Sequence, residues 1–536
     1  MNDVKKTVMT NWRWVMCAML FFATTVNYMD RQVLSLTWKE FIQPEFHWSD
    51  SDYGTITGLF SIAYAIFCLF AGKFVDFMGT KKGYLIAIVV WSIGAVMHAG
   101  CAIATTWFVD GIDSVAALRA VEAGSELAAS ISMVSVYLFL ACRLILGLGE
   151  AGNFPAAIKV TAEYFPKKDR AFATSIFNAG ASVGALAAPA TIPLLAKAMG
   201  WEMAFIIIGA LGFLWAGIWI FVYDKPEKSK RVNEAELAYI NQDEAEETKK
   251  EVKEEKTISM LPHSWAFFLA AVGAIIGAAL FSSTSLIGTV IFGVLALILL
   301  NIPFWNYYKH RQTWAFFFGK FMTDGVWWFF LFWTPAYFQD QFGIKASDPQ
   351  GIALIFTLYA IVTVVSIFGG YLPKIFVEKK GMNPYAGRMR AMLIFAFFPI
   401  IALFAQPLGG VWGPWAVAII IGIVGAAHQS WSANIFSTVG DMFPKSAIAA
   451  VTGIGAMAGG IGSFLINKGS GALFDHAAEV HQAVLEGTRS SDFVFFGFEG
   501  KPAGYMIIFC ICAVAYLIGW SVMKTLVPKY KQVEIK

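Results

Sequence analysis

The chain has 536 residues, of which 57% are hydrophobic, 16% aromatic and only 14% charged. Soluble domains carry about 25% charged residues, and each helix that spans a bilayer needs about 20 apolar residues. This composition indicates an integral membrane protein with about a dozen spans, and it excludes a soluble enzyme. The net charge of only +3 offers no basic surface for nucleic acid.

The cysteines all lie in apolar runs, where a thiol behaves as a small packing residue. They are Cys17, Cys68, Cys101, Cys142, Cys510 and Cys512. Their spacing matches no disulfide framework and no metal-ligand motif, and no nucleophile motif stands on a plausible site. We therefore expect neither enzymatic activity nor a metal or cofactor.

Fourteen long apolar runs follow one another along the chain. The first, from Trp14 to about Leu36, has no cleavage site and is too long for a signal-peptide core, so it predicts a retained helix. The other runs predict spans at about 54–74, 82–104, 132–158, 170–196, 202–223, 265–282, 285–302, 313–338, 350–373, 389–407, 411–433, 446–467 and 503–527.

A polar stretch from Asp224 to His263 separates the sixth run from the seventh. It is dense in both charge signs and contains almost nothing to bury, so we expect a solvated, partly helical linker.

Lysine and arginine residues collect in the loops on one side of the membrane, as is typical of cytoplasmic loops. With the N-terminus inside, these residues include Lys81, Lys82, Lys167, Lys168, Arg170, Lys379, Lys380, Arg388, Arg390 and Lys445. The opposite loops, at 39–53 and 104–130, hold more acidic than basic residues. We therefore expect both termini in the cytoplasm and the chain in a bacterial inner membrane.

An internal repeat predicts the architecture. Residues 165–184 align without gaps to residues 443–462, with seven identities in twenty positions at an offset of 278. Each segment opens a helix rich in glycine and alanine, which permits close helix contacts. Two parallel six-helix halves follow, the arrangement of major facilitator transporters. The predicted domains are an N-terminal bundle (1–223), the charged linker (224–263), an extra transmembrane hairpin that faces lipid (264–302) and a C-terminal bundle (303–536).

The segment GKFVDFMGTKKG, at 72–83, resembles the signature loop between helices 2 and 3 of the major facilitator superfamily. That resemblance implies a latch at the cytoplasmic face, made of Gly72, Asp76, Gly79, Lys81 and Lys82. The corresponding loop of the second half, at 369–381, lacks the acidic residue.

Four further segments extend the resemblance over both halves. They are NYMDR (27–31), RLILGLGEAGNFPAAIKVTAEYFP (143–166), RQTWAFFFGKFMTDGVWWFFLFWTPAYF (311–338) and HQSWSANIFSTVGDMFPK (428–445). Together they resemble hexuronate transporters of the anion:cation symporter family. The resemblance implies an all-α membrane protein with the major facilitator fold. The extra hairpin and the outer segments 105–131 and 469–502 depart from the family pattern.

Asp30 and Arg31 lie near the end of the first span, with Asn27 one turn earlier on the face of Arg31. A charge inside the membrane is costly, so it indicates a function. The resemblance implies that Arg31 contacts a substrate carboxylate, which the planar guanidinium suits, and that Asp30 takes part in proton coupling. The alternative is that the two charges neutralise each other near the outer interface.

Glu150 lies in the fourth span, where a carboxyl group can gain and lose a proton near neutral pH. The resemblance implies the same coupling role, and the alternative is a hydrogen bond between helices. Arg143, two turns away, resembles the helix-4 arginine of the superfamily. We expect it to pair with Glu150 or with another buried acid.

His428 occupies the position in the tenth span that Glu150 occupies in the fourth, because the repeat offset relates the two. An imidazole there can sense protons or substrate. The alternative is a satisfied polar residue with Gln429 and Ser432 as partners.

Other polar residues in apolar runs are candidate substrate contacts. Lys320 is either a second anion contact or the ion-pair partner of Asp324, four residues later. Trp327 offers a ring face to a sugar, although most tryptophans pack or anchor helices. Three more side chains are expected to meet hydroxyls or the carboxylate: Tyr64, Asn178 and Asn434.

These observations predict a proton-driven symporter for an aldohexuronate such as glucuronate or galacturonate, which works as a monomer by alternating access. Arg31, Tyr64, Asn178, Lys320, Trp327, His428 and Asn434 are assigned to substrate, and Asp30 and Glu150 to the proton. An aldonate, aldarate or other carboxylate, with sodium as the coupling ion, stays an alternative. A non-transporting membrane sensor is the remaining alternative, and it would need an output domain.

Overall fold

The computed structural model describes residues 8–242, 266–271, 273–274 and 286–533. Within these ranges the chain is almost entirely helical. The described residues contain one sheet, an antiparallel hairpin of β1 (Val494–Phe495) and β2 (Phe498–Glu499), in which Val494 pairs with Glu499 and Phe495 with Phe498.

The N-terminal part contains ten helices up to the linker and one within it. They are α1 (Trp12–Thr37), α2 (Gln43–Phe46), α3 (Asp50–Met78), α4 (Thr80–Met97), α5 (Cys101–Phe108), α6 (Val115–Arg119), α7 (Glu126–Glu150), α8 (Asn153–Tyr164), α9 (Lys167–Met199), α10 (Trp201–Val222) and α11 (Glu234–Ile240). A π-helical turn (Trp38–Ile42) follows α1, and 3-10 turns lie at His98–Gly100 and Pro226–Lys228.

The C-terminal part follows the same plan. Its helices are α12 (Leu286–Asn301), α13 (Trp305–Tyr308), α14 (Arg311–Phe342), α15 (Pro349–Lys380), α16 (Pro384–Phe397), α17 (Ala405–Trp412), α18 (Pro414–Met442), α19 (Lys445–Leu485) and α20 (Gly500–Leu526). 3-10 segments lie at Ile302–Phe304 and Phe398–Phe404.

Eleven helical segments of the described chain are long and apolar enough to cross a membrane. Two further long helices complete the set: α1, which carries Asp30 and Arg31, and α14, which carries Lys320 and Asp324. Together these helices coincide with thirteen of the fourteen predicted runs. The other run, at 265–282, lies mainly outside the described residues. The predicted all-α fold is confirmed.

Small residues let the long helices approach closely, as the repeat predicts. A Cβ atom on Gly184 of α9 would lie 2.4 Å from the carbonyl oxygen of Thr25 on α1. A Cβ atom on Gly460 of α19 would lie 2.4 Å from the Cβ atom of Ala65 on α3. The first contact joins helices within the N-terminal half, and the second joins the two halves.

The bundle has two faces, which we name from the direction of α1. The terminal face is the face where α1 begins and α20 ends, and the distal face is the face where α1 ends and α14 ends. Each half contains an even number of crossings, so the linker returns to the terminal face.

Part of the linker packs against the start of α1, so the expectation of a solvated linker is wrong for this part. Glu236 is fully buried. Its carboxylate accepts from Thr10 Oγ1 at 2.5 Å, from the backbone N–H groups of Trp12 and Arg13 at 2.9 and 3.1 Å, and from the Arg13 guanidinium at 3.1 Å. The reason is that a carboxylate satisfies the free N–H groups at a helix start. The predicted helical character is confirmed by α11, and residues 243–263 lie outside the described residues.

The contact between Glu236 and α1 is expected to depend on charge. Burial opposes the charge of Glu236, but hydrogen bonds from Thr10 and from the backbone of Arg13 and Trp12, with the Arg13 guanidinium, hold the pKa of this carboxyl below its ordinary value. A group with a lowered pKa stabilises the docked state above the pKa of free glutamate, and this contribution is lost as the pH falls through the lowered value. At neutral pH the linker therefore stays docked.

Glu236→Gln is expected to release the linker and speed trypsin cleavage after Arg231 by about tenfold or more, because one hydrogen bond to a charged group contributes about 1.5–3 kcal/mol. Time courses of limited proteolysis at pH 7 measure this rate. The control is Glu234→Gln on the exposed side of the same helix, which should be cleaved like the native chain. Equal rates in the two variants would contradict docking through Glu236.

Candidate functional site

A buried ion pair between α1 and α7 forms the centre of the N-terminal half. Arg31 donates from Nε and Nη2 to one oxygen of Glu150, Oε2, at 3.1 and 2.8 Å. The two side chains are 7% and 0% exposed. The sequence predicts each residue at a site, but it does not predict that they contact each other.

The alternative that Asp30 and Arg31 neutralise each other is wrong, because adjacent residues on a helix point in different directions. Arg143 forms no ion pair with Glu150 within the described residues, but its charge acts on both Glu150 and Asp30, so its expected pairing with a buried acid stays a prediction. The partner of Glu150 comes instead from another helix.

Three aromatic rings surround the Arg31 guanidinium. Its Cζ atom lies 4.6 Å from the ring centroid of Tyr64, 5.2 Å from that of Trp328 and 5.4 Å from that of Tyr28. Contacts at this distance are attractive because the ring face is electronegative. Trp328 belongs to α14, so the C-terminal half contacts the central charge of the N-terminal half. Tyr28 and Arg31 lie three residues apart on one helix, and this spacing could have indicated Tyr28 as a partner.

Asp30 and Arg143 lie buried near the pair, and the charges of Arg143 and Glu150 both act on Asp30. The indole N–H of Trp91 lies near Asp30, but neither oxygen of Asp30 accepts a fully formed hydrogen bond within the described chain, and Nη1 of Arg143 donates none there. The Arg143 guanidinium lies 5.3 Å from the ring centroid of Phe60. The cluster therefore contains two acids and two bases, of which only Arg31 and Glu150 form an ion pair.

His428 and Trp327 form a separate buried group in the C-terminal half. The His428 ring stacks on Trp327 with 5.3 Å between centroids and an interplanar angle of 2°. Nδ1 of His428 lies 2.7 Å from the hydroxyl of Tyr516 on α20. The predicted partners Gln429 and Ser432 do not make this contact, because they follow His428 on its own helix. No sequence signal indicated Tyr516.

Lys320 forms an ion pair with Asp324 at 2.8 Å, so the pairing that their spacing predicts is confirmed. The Lys320 ammonium also lies 4.4 Å from the ring centroid of Phe436. Its charge acts on His428 from a neighbouring helix. A substrate carboxylate would therefore have to compete with Asp324 for Lys320.

Two predicted substrate contacts lie apart from both groups. Asn434 donates to the backbone oxygens of Ser430 at 2.8 Å and Gly369 at 3.4 Å, so it joins α18 to α15. Asn178 is exposed on α9 and makes no hydrogen bond within the described residues. His428 and Glu150, which the repeat relates, make no hydrogen bond or ion pair with each other.

The structure describes only some side chains of the predicted latch. The side chain of Asp76 lies outside the described side chains. Lys81 pairs with Asp224 at the start of the linker at 2.9 Å, and Lys82 is exposed. Gly79 has φ +77° between α3 and α4, a backbone angle that only glycine adopts readily, and the space around Gly72 is open. The described partner of Lys81 is therefore a linker residue.

Comparison with known proteins identifies the family. The family model of the Major Facilitator Superfamily matches residues 20–466. The chain belongs to this superfamily. It is 26% identical to the hexuronate transporter of Escherichia coli (strain K12) over 463 residues, which cover 86% of this chain and 88% of that protein. It is 25% identical to the galacturonate transporter of Dickeya chrysanthemi over 399 residues, which cover 74% and 92%.

A solved structure shares the fold. It is a bacterial homologue of the human lysosomal transporter Spinster in an inward-facing and occupied conformation, with a TM-score of 0.60 at 16% identity over 96% of this chain and 97% of that one. The predicted resemblance and fold class are therefore confirmed.

Separate removal of Lys320 or Asp324 is expected to leave a buried charge without its partner. Lys320→Met and Asp324→Leu should each destabilise the protein by about 3–5 kcal/mol, and the double variant should recover most of this loss. Thermal unfolding in detergent, followed by tryptophan fluorescence, compares the three variants.

The control is the exposed pair Lys374–Glu378, at 3.6 Å on α15. Lys374→Met should change stability by no more than about 1 kcal/mol. If Lys320→Met were as mild as this control, the buried pair would not stabilise α14.

Proposed function

We propose that this superfamily member imports a sugar acid together with protons by alternating access. The observation that carries the proposal is the buried pair of Arg31 and Glu150. The guanidinium of Arg31 can bind a carboxylate through two parallel hydrogen bonds, and the carboxylate of Glu150 can accept a proton. Because they bind each other, the two events are linked.

The exchange works through competition for Arg31. A proton on Glu150 removes its negative charge and weakens its hold on Arg31, so the substrate carboxylate can take its place. Cargo and proton together add no net charge to the site, which keeps the cost of burial low. Asp30, which lies within the field of Glu150 and Arg143, serves as a second proton acceptor in this scheme.

An aldohexuronate is the proposed substrate, since the relatives named above transport hexuronate and galacturonate. The aromatic rings around Arg31 offer faces to the C–H side of a sugar ring. His428, Trp327 and Lys320 supply polar and aromatic contacts from the second half, and Asn178 and Asn434 are proposed to reach hydroxyls in other states of the cycle.

The proposed location is the inner membrane of a bacterium, with the terminal face in the cytoplasm. The distribution of lysine and arginine supports this orientation. The proposed domains are the two six-helix bundles at 1–223 and 303–536, the linker and the extra hairpin, and the functional unit is one chain.

Glu150→Gln is expected to separate substrate exchange from proton-driven accumulation, because glutamine keeps the shape but cannot take up a proton. Uptake of labelled glucuronate into proteoliposomes, with and without an inward proton gradient, measures accumulation. Counterflow in preloaded liposomes measures exchange. The native chain should concentrate glucuronate, and the variant should exchange it without concentrating it.

Glu236→Gln serves as the matched control for this experiment. It makes the same chemical change in another buried Arg–Glu pair, far from the site, and should still accumulate substrate. If the native chain did not transport glucuronate but did transport an aldonate or aldarate, the substrate assignment would be wrong. Uptake of every acid without dependence on protons would contradict the coupling mechanism.

His428→Gln is expected to weaken substrate binding by about tenfold, since the imidazole positions the Trp327 ring and hydrogen-bonds to Tyr516 at 2.7 Å; a tenfold loss corresponds to about 1.4 kcal/mol. The ratio of KM to maximal rate across pH 5.5–8 measures the effect. Tyr516→Phe, which removes only the hydroxyl, should produce a smaller change in the same direction. Unchanged transport by His428→Gln at every pH would exclude a role for this residue.

A further inference from the structure

A second cluster of buried charges joins the two halves at the distal face. Lys39 lies in the π-helical turn after α1, Asp50 begins α3, Asp340 lies near the end of α14, and Lys501 lies at the start of α20. Lys39 Nζ is 3.0 Å from Asp50 and 3.2 Å from Asp340. Lys501 Nζ is 2.6 Å from Asp340 and also contacts Asp50. The four side chains are 6–17% exposed.

The two halves contribute equally to this cluster. Each half contributes one lysine and one aspartate, so the charges that each half contributes to the cluster sum to zero. The pairs Lys39–Asp340 and Lys501–Asp50 cross between the halves. The pairs Lys39–Asp50 and Lys501–Asp340 lie within one half each. If the halves separate, only the crossing pairs break, and every charge keeps a partner.

This arrangement lowers the barrier to separation. A buried charge that loses its only partner is strongly destabilising. Here the loss is limited, because the pairs within each half persist and water reaches the newly exposed atoms. The cluster can therefore hold the halves together without preventing their separation.

Other contacts strengthen the same junction. The carboxylate of Asp475, on α19 of the second half, accepts from the backbone N–H groups of Asp50 and Ser51 at 2.9 and 2.7 Å. It thus caps the start of α3, a helix of the other half. Lys468, two turns earlier on α19, donates to Ser51 and Thr55 at 3.1 and 2.5 Å.

An aromatic layer lies beneath the charges. Trp38 stacks on Tyr53 with 3.9 Å between centroids, and Trp333 of the second half meets both rings edge-on at 5.9 and 5.1 Å. All three side chains are fully buried. Along α1 and the π-helical turn after it, the order is Arg31, Trp38 and then Lys39, so this layer separates the central ion pair from the charged cluster.

Many hydrogen bonds and ion pairs join the two halves on the distal side of the bundle. The deepest of them joins Ser463 to Ser61 at 2.9 Å. The structure therefore represents a state that is closed at the distal face.

We propose that Lys39, Asp50, Asp340 and Lys501 form the distal gate of the transport path. The gate closes when the lysines pair across the halves, and it opens when each lysine keeps only the aspartate of its own half. The inference rests on the alternating access proposed above, but it does not depend on which acid is carried.

A charge swap within one half tests the gate. The double variant Lys39→Asp with Asp50→Lys keeps the pair within the first half, but it places like charges opposite each other at both crossing contacts. Adding Asp340→Lys and Lys501→Asp restores opposite charges everywhere. Hydrogen exchange of the full-length protein in nanodiscs, read at segments 39–56 and 467–475, reports opening of the distal face.

The half-swapped variant is expected to exchange about tenfold faster than the native chain at these segments, and the fourfold variant is expected to return to the native rate. Exchange at 229–240 on the terminal face should stay unchanged in both and shows that the fold is intact. Native exchange in the half-swapped variant would overturn the proposal. So would a fourfold variant that stays as open as the half-swapped one.

A single substitution keeps the test decisive if the half-swapped chain does not fold. Asp340→Asn removes the crossing pair with Lys39 together with the pair to Lys501 in its own half, and it should raise distal exchange several-fold. The control Asp348→Asn lies on the same face, where the Asp348 carboxylate accepts, among the described residues, only from the backbone N–H of Lys345 in its own half at 2.9 Å. Equal exchange in these two variants would overturn the gate. Because neither measurement uses a sugar acid, failure of glucuronate uptake would refute the proposed substrate without affecting this result.

Discussion

A charge buried without a partner destabilises a protein by several kcal/mol, and this constraint shapes every level of the bundle. At the terminal face, Glu236 and Arg13 join the linker to α1. In the centre, Glu150 binds Arg31. At the distal face, Lys39 and Lys501 each bind two aspartates. In each place the partner comes from a different helix, so charge pairing also determines which helices lie together.

The same ion pairs can be broken in two ways during the proposed transport cycle. A pair that is stable only while both partners are charged can be broken by a proton, which is the proposed role of Glu150. A pair that shares its partners can be broken by separation of the halves, which is the proposed role of the distal cluster. The two mechanisms differ because protonation removes a charge, whereas separation redistributes contacts among charges that persist.

Aromatic residues isolate these charges from one another. Tyr64 and Trp328 cover the Arg31 guanidinium, and Trp38, Tyr53 and Trp333 fill the space between it and the distal cluster. An aromatic ring can cover a cation because its face attracts positive charge, and it can separate two charged groups because its bulk excludes water. Part of the high aromatic content of the chain therefore lies around its buried charges.

Local patterns in the sequence determined the helices, the small-residue contacts and the Lys320–Asp324 pair, since each depends on spacing along one helix. They also marked Arg31 and Glu150 as unusual, because charges are rare in apolar runs. The choice of partners was decided only by the tertiary structure. Arg31 and Glu150 are 119 positions apart, and Lys39 and Asp340 belong to opposite halves, so no periodicity relates them. For the same reason, the expectation of a solvated linker was wrong for the part around Glu236, because the N–H groups that Glu236 satisfies are brought to it only by the fold.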